Sequence, residues 1–184
     1  MKARGRYLAG AVLFLALGLA WTQALASGAF PDFKLKAPAD PDQAAYLGLA
    51  PESDFKLSEI RGKAVLIEIF SMYCPHCQGA ARDVNRLYDR IRNSAHKGDL
   101  KMIGIGAGNS AFEVGIFQKK FAVPMPLLPD EDYTIYDTLG DIGTPYFYLI
   151  RIKPGGSLDI LFEHQGPYKD EDAFFKTIIQ KSGF

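Results

Sequence analysis

Cysteine is scarce in this chain of 184 residues: there are two, at positions 74 and 77. Two thiols cannot build a disulfide framework, an iron–sulfur site or a Cys-ligated zinc site, and they allow at most one intramolecular disulfide. An excess of one charge is also missing. Lys plus Arg equals Asp plus Glu at 21 each, so no overall field points to nucleic acid or to an acidic membrane surface. The chain has no internal repeat and no low-complexity tract. What it does have is core material: 13 Phe, 9 Tyr and 48% apolar residues against 23% charged, the balance of an ordinary globular protein. The length suits one domain with a short extension.

Residues 1–26 carry Lys2, Arg4 and Arg6 without an acid, then an apolar run from Leu8 to Trp21, then Ala24-Leu25-Ala26 before Ser27. This is the pattern of a secretory signal peptide cleaved after Ala26. Left uncleaved, the same segment approaches the roughly 20 residues that span a bilayer and would act as an anchor. Either way, the expected location of the domain at 27–184 is periplasmic or otherwise extracytoplasmic. There a disulfide can persist, and association with a membrane would come only from an uncleaved segment.

Alternating polarity in Asp32–Lys36 predicts an edge strand, and Gln43–Leu49 a helical turn, in a proline-containing N-terminal extension. Ala64–Phe70 (AVLIEIF) is apolar on both pleat faces and predicts a central strand covered by helices on both sides. Ala81, Val84, Leu87, Tyr88 and Ile91 recur at three and four, the stripe of an amphipathic helix over Gln78–Ile91, ending near His96 with Gly98 as C-cap. Further expected elements are a strand at Lys101–Ile105, a helix at Ser110–Phe121, a short strand at Pro124–Leu128 and a brief helix from an Asp132 cap to Leu139. A hairpin of Tyr146–Ile152 with Leu158–Phe162 and a last helix over Asp170–Lys181 complete the reading. Strands alternating with helices, then an antiparallel hairpin, make an α/β fold: a mixed sheet with helices on both faces.

Both cysteines fall in Cys74-Pro75-His76-Cys77, which follows a buried strand and opens a helix. A helix N-terminus presents unpaired N–H groups and a positive dipole end, which favour a thiolate on Cys74, while Cys77 lies one turn inside. Cys74 is therefore the attacking sulfur and Cys77 the resolving one. Pro75 suits the first helical position, and His76 can lower the Cys74 pKa further. Glu68 lies inside the apolar strand, where burial should raise its pKa and fit it to exchange a proton with Cys77. Thr144-Pro145, at the start of a strand, is a candidate cis-proline site.

These residues resemble the thioredoxin superfamily, specifically the extracytoplasmic thiol-disulfide oxidoreductases of the TlpA/ResA type, over about residues 30 to 182. The resemblance implies a thioredoxin-like sheet with an inserted strand–helix unit, which the 68 residues from Cys77 to Pro145 can hold. It also implies a redox-active Cys74–Cys77 disulfide in place of a cofactor, no metal, and a substrate-binding edge formed by Tyr73, Thr144 and Pro145. Expected partners are exported cysteine-containing proteins and a membrane or periplasmic redox partner that resets the site, but no nucleic acid. Locally, Glu68 through Cys77 looks more like the oxidase DsbA, which shares the Pro-His dipeptide. The wider architecture favours the reductase type.

Two other classes compete. A peroxiredoxin-like peroxidase is suggested by Ser71-x-x-Cys74, although Ile67 stands where that pattern has Pro. A copper-binding assembly factor of the Sco type would use both cysteines and a histidine. Elsewhere, Gly104–Gly108 lacks the full dinucleotide-loop spacing, His96 reads as a partner of a helix C-terminus, and His164 as an exposed strand-end residue.

Overall fold

A computed structural model describes residues 28–140 and 142–184, so the secretory segment read at 1–26 lies outside the described residues. Two short strands, β1 (Ala29–Phe30) and β2 (Lys34–Lys36), precede helix α1 (Pro41–Leu47) and strand β3 (Asp54–Lys56). Strand β4 (Ala64–Phe70), helix α2 (Pro75–Asn93), β5 (Leu100–Ala107), α3 (Ala111–Lys120), β6 (Leu127–Asp130) and α4 (Thr134–Leu139) follow. The chain ends with β7 (Tyr146–Ile152), β8 (Leu158–Gln165) and α5 (Glu171–Ser182). The main sheet has the order β1-β8-β7-β4-β5-β6; β4 runs parallel to β5 and antiparallel to β7.

Every residue of β4 is buried, which its uninterrupted apolar sequence requires of a central strand. Its alternate side chains feed two cores. Leu66 and Phe70 pack with Val84, Leu87 and Tyr88 of α2, Phe117 of α3 and Phe174 of α5. Val65, Ile67 and Ile69 pack with Leu47 of α1, Phe55, Leu57 and Ile135 of α4. Helices thus cover both faces, and β6, with α3 packed on it, extends the sheet beyond β5 in the stretch where the inserted strand–helix unit is expected. Among the described residues no helix is long and apolar enough to cross a membrane.

Several boundaries move. The Asp32–Lys36 segment is a strand only over Lys34–Lys36, and it pairs with β3 in a separate two-stranded ribbon rather than edging the main sheet. Helix α1 begins at Pro41 because the Asp40 carboxylate accepts the N–H groups of Asp42 and Gln43, and it stops at left-handed Gly48. Helix α2 ends at Ser94 rather than Gly98; the Ser94 backbone and hydroxyl both bond to the Ile91 carbonyl. The strand expected at Pro124–Leu128 begins three residues later, at Leu127, and runs to Asp130, with Pro129 tolerated on an edge strand. The cap of α4 also differs: buried Asp130 accepts from Ile135 and Tyr136, whereas Asp132 reaches only Thr134. Strand β8 runs on to Gln165, and the glycines of the 104–108 run belong to β5 and its end. A Cβ at Gly104 would stand 2.5 Å from Leu127, and one at Gly108 2.0 Å from the Tyr133 ring, so close packing accounts for them.

Candidate active site

Cys74 occupies the N-cap of α2 with extended backbone, and Pro75 follows at the first helical position, where a missing N–H costs nothing. The Cys74 thiol is half-buried and donates to the Thr144 carbonyl at 3.2 Å. The Thr144–Pro145 peptide bond is cis, and the buried proline opens β7 while its carbonyl accepts the Gly166 N–H at 2.8 Å. Partial burial raises the Cys74 pKa, but donors to its sulfur outweigh that and hold it below the ordinary thiol value. These are the Thr144 side chain, the backbone N–H groups of Cys77 and His76, and the Cys77 thiol. His76 is among these donors through its backbone N–H, with its imidazole exposed at the rim.

Cys77 faces inward and is only 1% exposed. Burial pushes its thiol well up; the Ser71 backbone N–H opposes this, and the Glu68 charge adds to it. Glu68 sits opposite Gly104 on one side and Phe147 on the other, in the middle of the sheet and 4% exposed. Burial, reinforced by the Cys74 charge, pushes its carboxyl up to about 8. Two acidic groups held in one apolar pocket resist ionising together.

The loop ahead of Cys74 is held by side chains the sequence did not single out. Asn109, fully buried after β5, accepts the Met72 N–H through Oδ1 at 2.8 Å, and Gln78 of α2 donates to the Met72 carbonyl at 2.8 Å. Both backbone polar groups of Met72 are thereby fixed, two residues before the attacking sulfur. Tyr73 is exposed, and its hydroxyl donates to the Glu113 carboxylate, which also closes the capping box of α3 with Ser110. The structure thus brings Cys74, Cys77, Glu68, Thr144 and Pro145 together and leaves Pro75, His76 and the Tyr73 ring at the surface. A lone amide between a buried strand and an N-cap serine was the only sequence signal available for Asn109.

Two histidine readings change. His96 stacks on Phe184 with ring centroids 5.3 Å apart. His164 is not exposed: its ring lies among Phe147, Phe162 and Phe174, with Nε2 closed off from solvent. Among the described residues, no cluster of three or more His, Cys, Asp or Glu is arranged to hold a metal ion.

Comparison with known proteins places this geometry in context. The sequence profile of the AhpC/TSA family matches residues 27–154. The thiol-disulfide oxidoreductase ResA of Halalkalibacterium halodurans is 23% identical over 96 residues, 52% of either chain, so the chain spans about half the length of that curated relative. Among solved structures, a thiol:disulfide interchange protein of the thioredoxin family from Chlorobium tepidum superposes with a TM-score of 0.60 at 18% identity, covering 85% of this chain and 97% of the other. StoA from Bacillus subtilis gives 0.57 at 17% identity, covering 79% and 95%. At these identities the structural likeness establishes the thioredoxin-like fold.

Proposed function

This chain belongs to the AhpC/TSA family, and on that footing we propose that it is an extracytoplasmic thiol-disulfide oxidoreductase of reductase type. It exchanges a Cys74–Cys77 dithiol or disulfide with cysteines of exported proteins. The observation that carries the reading is the inequality of the two thiols. One is half-exposed, lies beside the Thr144 carbonyl ahead of the cis proline, and is favoured as thiolate by donors to its sulfur; the other is buried next to a carboxyl of raised pKa.

In the reducing direction, the Cys74 thiolate attacks a substrate disulfide, forming a mixed disulfide and releasing one substrate thiolate. Cys77 then gives its proton to the Glu68 carboxylate, attacks the Cys74 sulfur and releases the second substrate thiolate. Two electrons pass from the protein dithiol to the substrate, and a second dithiol protein must return them. Thr144 offers backbone to an extended substrate segment beside Cys74, with cis Pro145 fixing its direction and the Tyr73 ring at the rim. The secretory pattern of residues 1–26 supports the extracytoplasmic setting. Reductase character is supported by the inserted β6 unit and by the weak leverage of the exposed His76 ring on Cys74.

Replacing Cys77 by Ser removes the resolving thiol, so covalent complexes with cysteine-containing exported proteins should accumulate through Cys74. Recovery of none would reject the reading. The reduction potential fixes direction: a value near the roughly −270 mV of a reductant is expected, and one near the roughly −120 mV of a strong oxidant would reverse the assignment. Family membership also favours a second reading, a peroxidase with Cys74 as the peroxide-reactive thiol. Ser71 presents its backbone N–H to Cys77, which weighs against that reading. Peroxide consumption faster than dithiol oxidation would establish it.

A further inference from the structure

A buried acid that gains and loses a proton needs a route for that proton, and the apolar walls of β4 supply none. On the same face of the sheet, register aligns Glu68 of β4 with Phe147 of β7 and His164 of β8. Tyr168 covers this row from the segment before α5, its ring stacked on Phe174 at 4.4 Å and 5.8 Å from Phe147. The Phe174 ring in turn lies 5.2 Å from His164. Two polar atoms in this otherwise aromatic cluster, Tyr168 Oη and His164 Nε2, are buried without a protein partner. Buried polar atoms are almost always paired, with ordered water where protein does not serve. Two such atoms in the cluster that walls a buried carboxyl make a polar seam.

We propose that Tyr168 and His164 form with Glu68 a buried polar track, leading from Cys77 across β7 to β8, along which the proton released by Cys77 leaves the site. The track deepens the thiol-exchange reading and rests on it. Its step is a proton transfer alone: Cys77 gives its proton to the Glu68 carboxylate. Glu68 passes it through internal water held by Tyr168 Oη and His164 Nε2, and one proton reaches solvent for each Cys77 thiolate formed. Closing the cycle runs the path in reverse, with no change in electrons. The outer end lies at β8, where His164 as a whole is half-buried although its Nε2 is closed off from solvent.

The charges that bear on the track come from three elements. Cys74 and Cys77 of α2 act on or feel Glu68; the Tyr168 hydroxyl is raised by burial and by the Glu68 charge. Glu171 of α5 and Asp83 and Arg86 of α2 add smaller effects on Tyr168. Tyr168 is thus a positioning residue that acts through Glu68.

The test replaces Tyr168 by Phe in the full chain, which keeps the ring and removes the hydroxyl. The Glu68 carboxyl is titrated in the reduced protein by its infrared carbonyl band, and exchange with dithiothreitol is followed across pH 6 to 9. Loss of a hydrogen-bonding site for the charged form should raise the Glu68 midpoint by about one unit and slow exchange at pH 7 by roughly tenfold. His164→Leu should act in the same direction, and His164→Gln, which keeps a polar atom, should restore the parent profile. A Glu68 midpoint unmoved in both Tyr168→Phe and His164→Leu overturns the track. If the parent protein exchanges no dithiol at all, the function reading fails instead, and the infrared midpoints still decide whether the track exists.

Discussion

The two faces of the central sheet are built from one strand, and they have opposite tolerance for chemistry. Val65, Ile67 and Ile69 of β4 point into a core closed by α1, α4 and the β2–β3 ribbon, made of aliphatic and aromatic side chains. Leu66, Glu68 and Phe70 point to the other face, where Cys77, Tyr168 and His164 interrupt an equally tight core. A shift of one residue along β4 moves a side chain from one regime to the other, because the pleat has a period of two. The difference teaches that the site is not a cleft added to a finished core. It is one face of the core in which a few polar groups are kept at a cost in stability.

The comparison is broken most directly at Glu68. Its raised pKa means that between the ordinary value of 4.5 and about 8 the unfolded chain gives up a proton that the folded chain keeps. Stability should therefore be fullest below pH 4.5, fall by up to about 1.4 kcal/mol per pH unit through this window, and level off above it. Glu68→Gln should abolish that slope and make the reduced protein more stable at pH 8. Denaturant unfolding of both proteins from pH 5 to 9 measures it, and parallel curves would mean that Glu68 is hydrated in the folded state.

On the dry face, Ile67→Ala should cost about 2 to 4 kcal/mol at every pH, with thiol reactivity of the folded fraction unchanged. A shift in the Cys74 alkylation profile would show that the two faces are coupled. Asn109→Ala leaves the Met72 N–H without its partner and should cost about 1 to 3 kcal/mol. It should also slow disulfide exchange, because the loop carrying Cys74 loses one of its two anchors; unchanged exchange would assign Asn109 to folding alone. The smallest effect is expected for His76→Ala. Since the backbone N–H of His76 is what acts on Cys74, the alkylation midpoint should move by less than about half a unit. A larger movement would restore the side chain to the role first read from the sequence.

Local features carried the legible part of the fold. The AVLIEIF run specified a central strand and the Ala81–Ile91 stripe a helix, because burial on two faces and on one face leave different periods. Glu68 was readable as a lone acid in such a run. The β6 boundary was misread because Pro124–Leu128 is as apolar as the true strand, and only pairing with β5 selects Leu127–Asp130. The ribbon strand β3 was missed because Asp54–Lys56 is three residues long and gains its strand character from β2. His164 was misplaced because a histidine near a strand end carries no mark of the aromatic rings, from β7 and α5, that later enclose it.

The sequence by itself determined that Cys74 would stand at a helix N-terminus with Cys77 one turn inside, since strand, turn and helix signals lie within a dozen residues and their effects are local. It also determined that a carboxyl would be trapped in the central strand. Tertiary structure alone decided which groups meet those atoms: the Thr144 carbonyl at Cys74, Asn109 at the Met72 peptide, and Tyr168 and His164 beyond Glu68. Hydrogen bonds and desolvation act over a few ångströms in space. Residues separated by tens of positions acquire them only when the sheet order brings their strands and loops side by side.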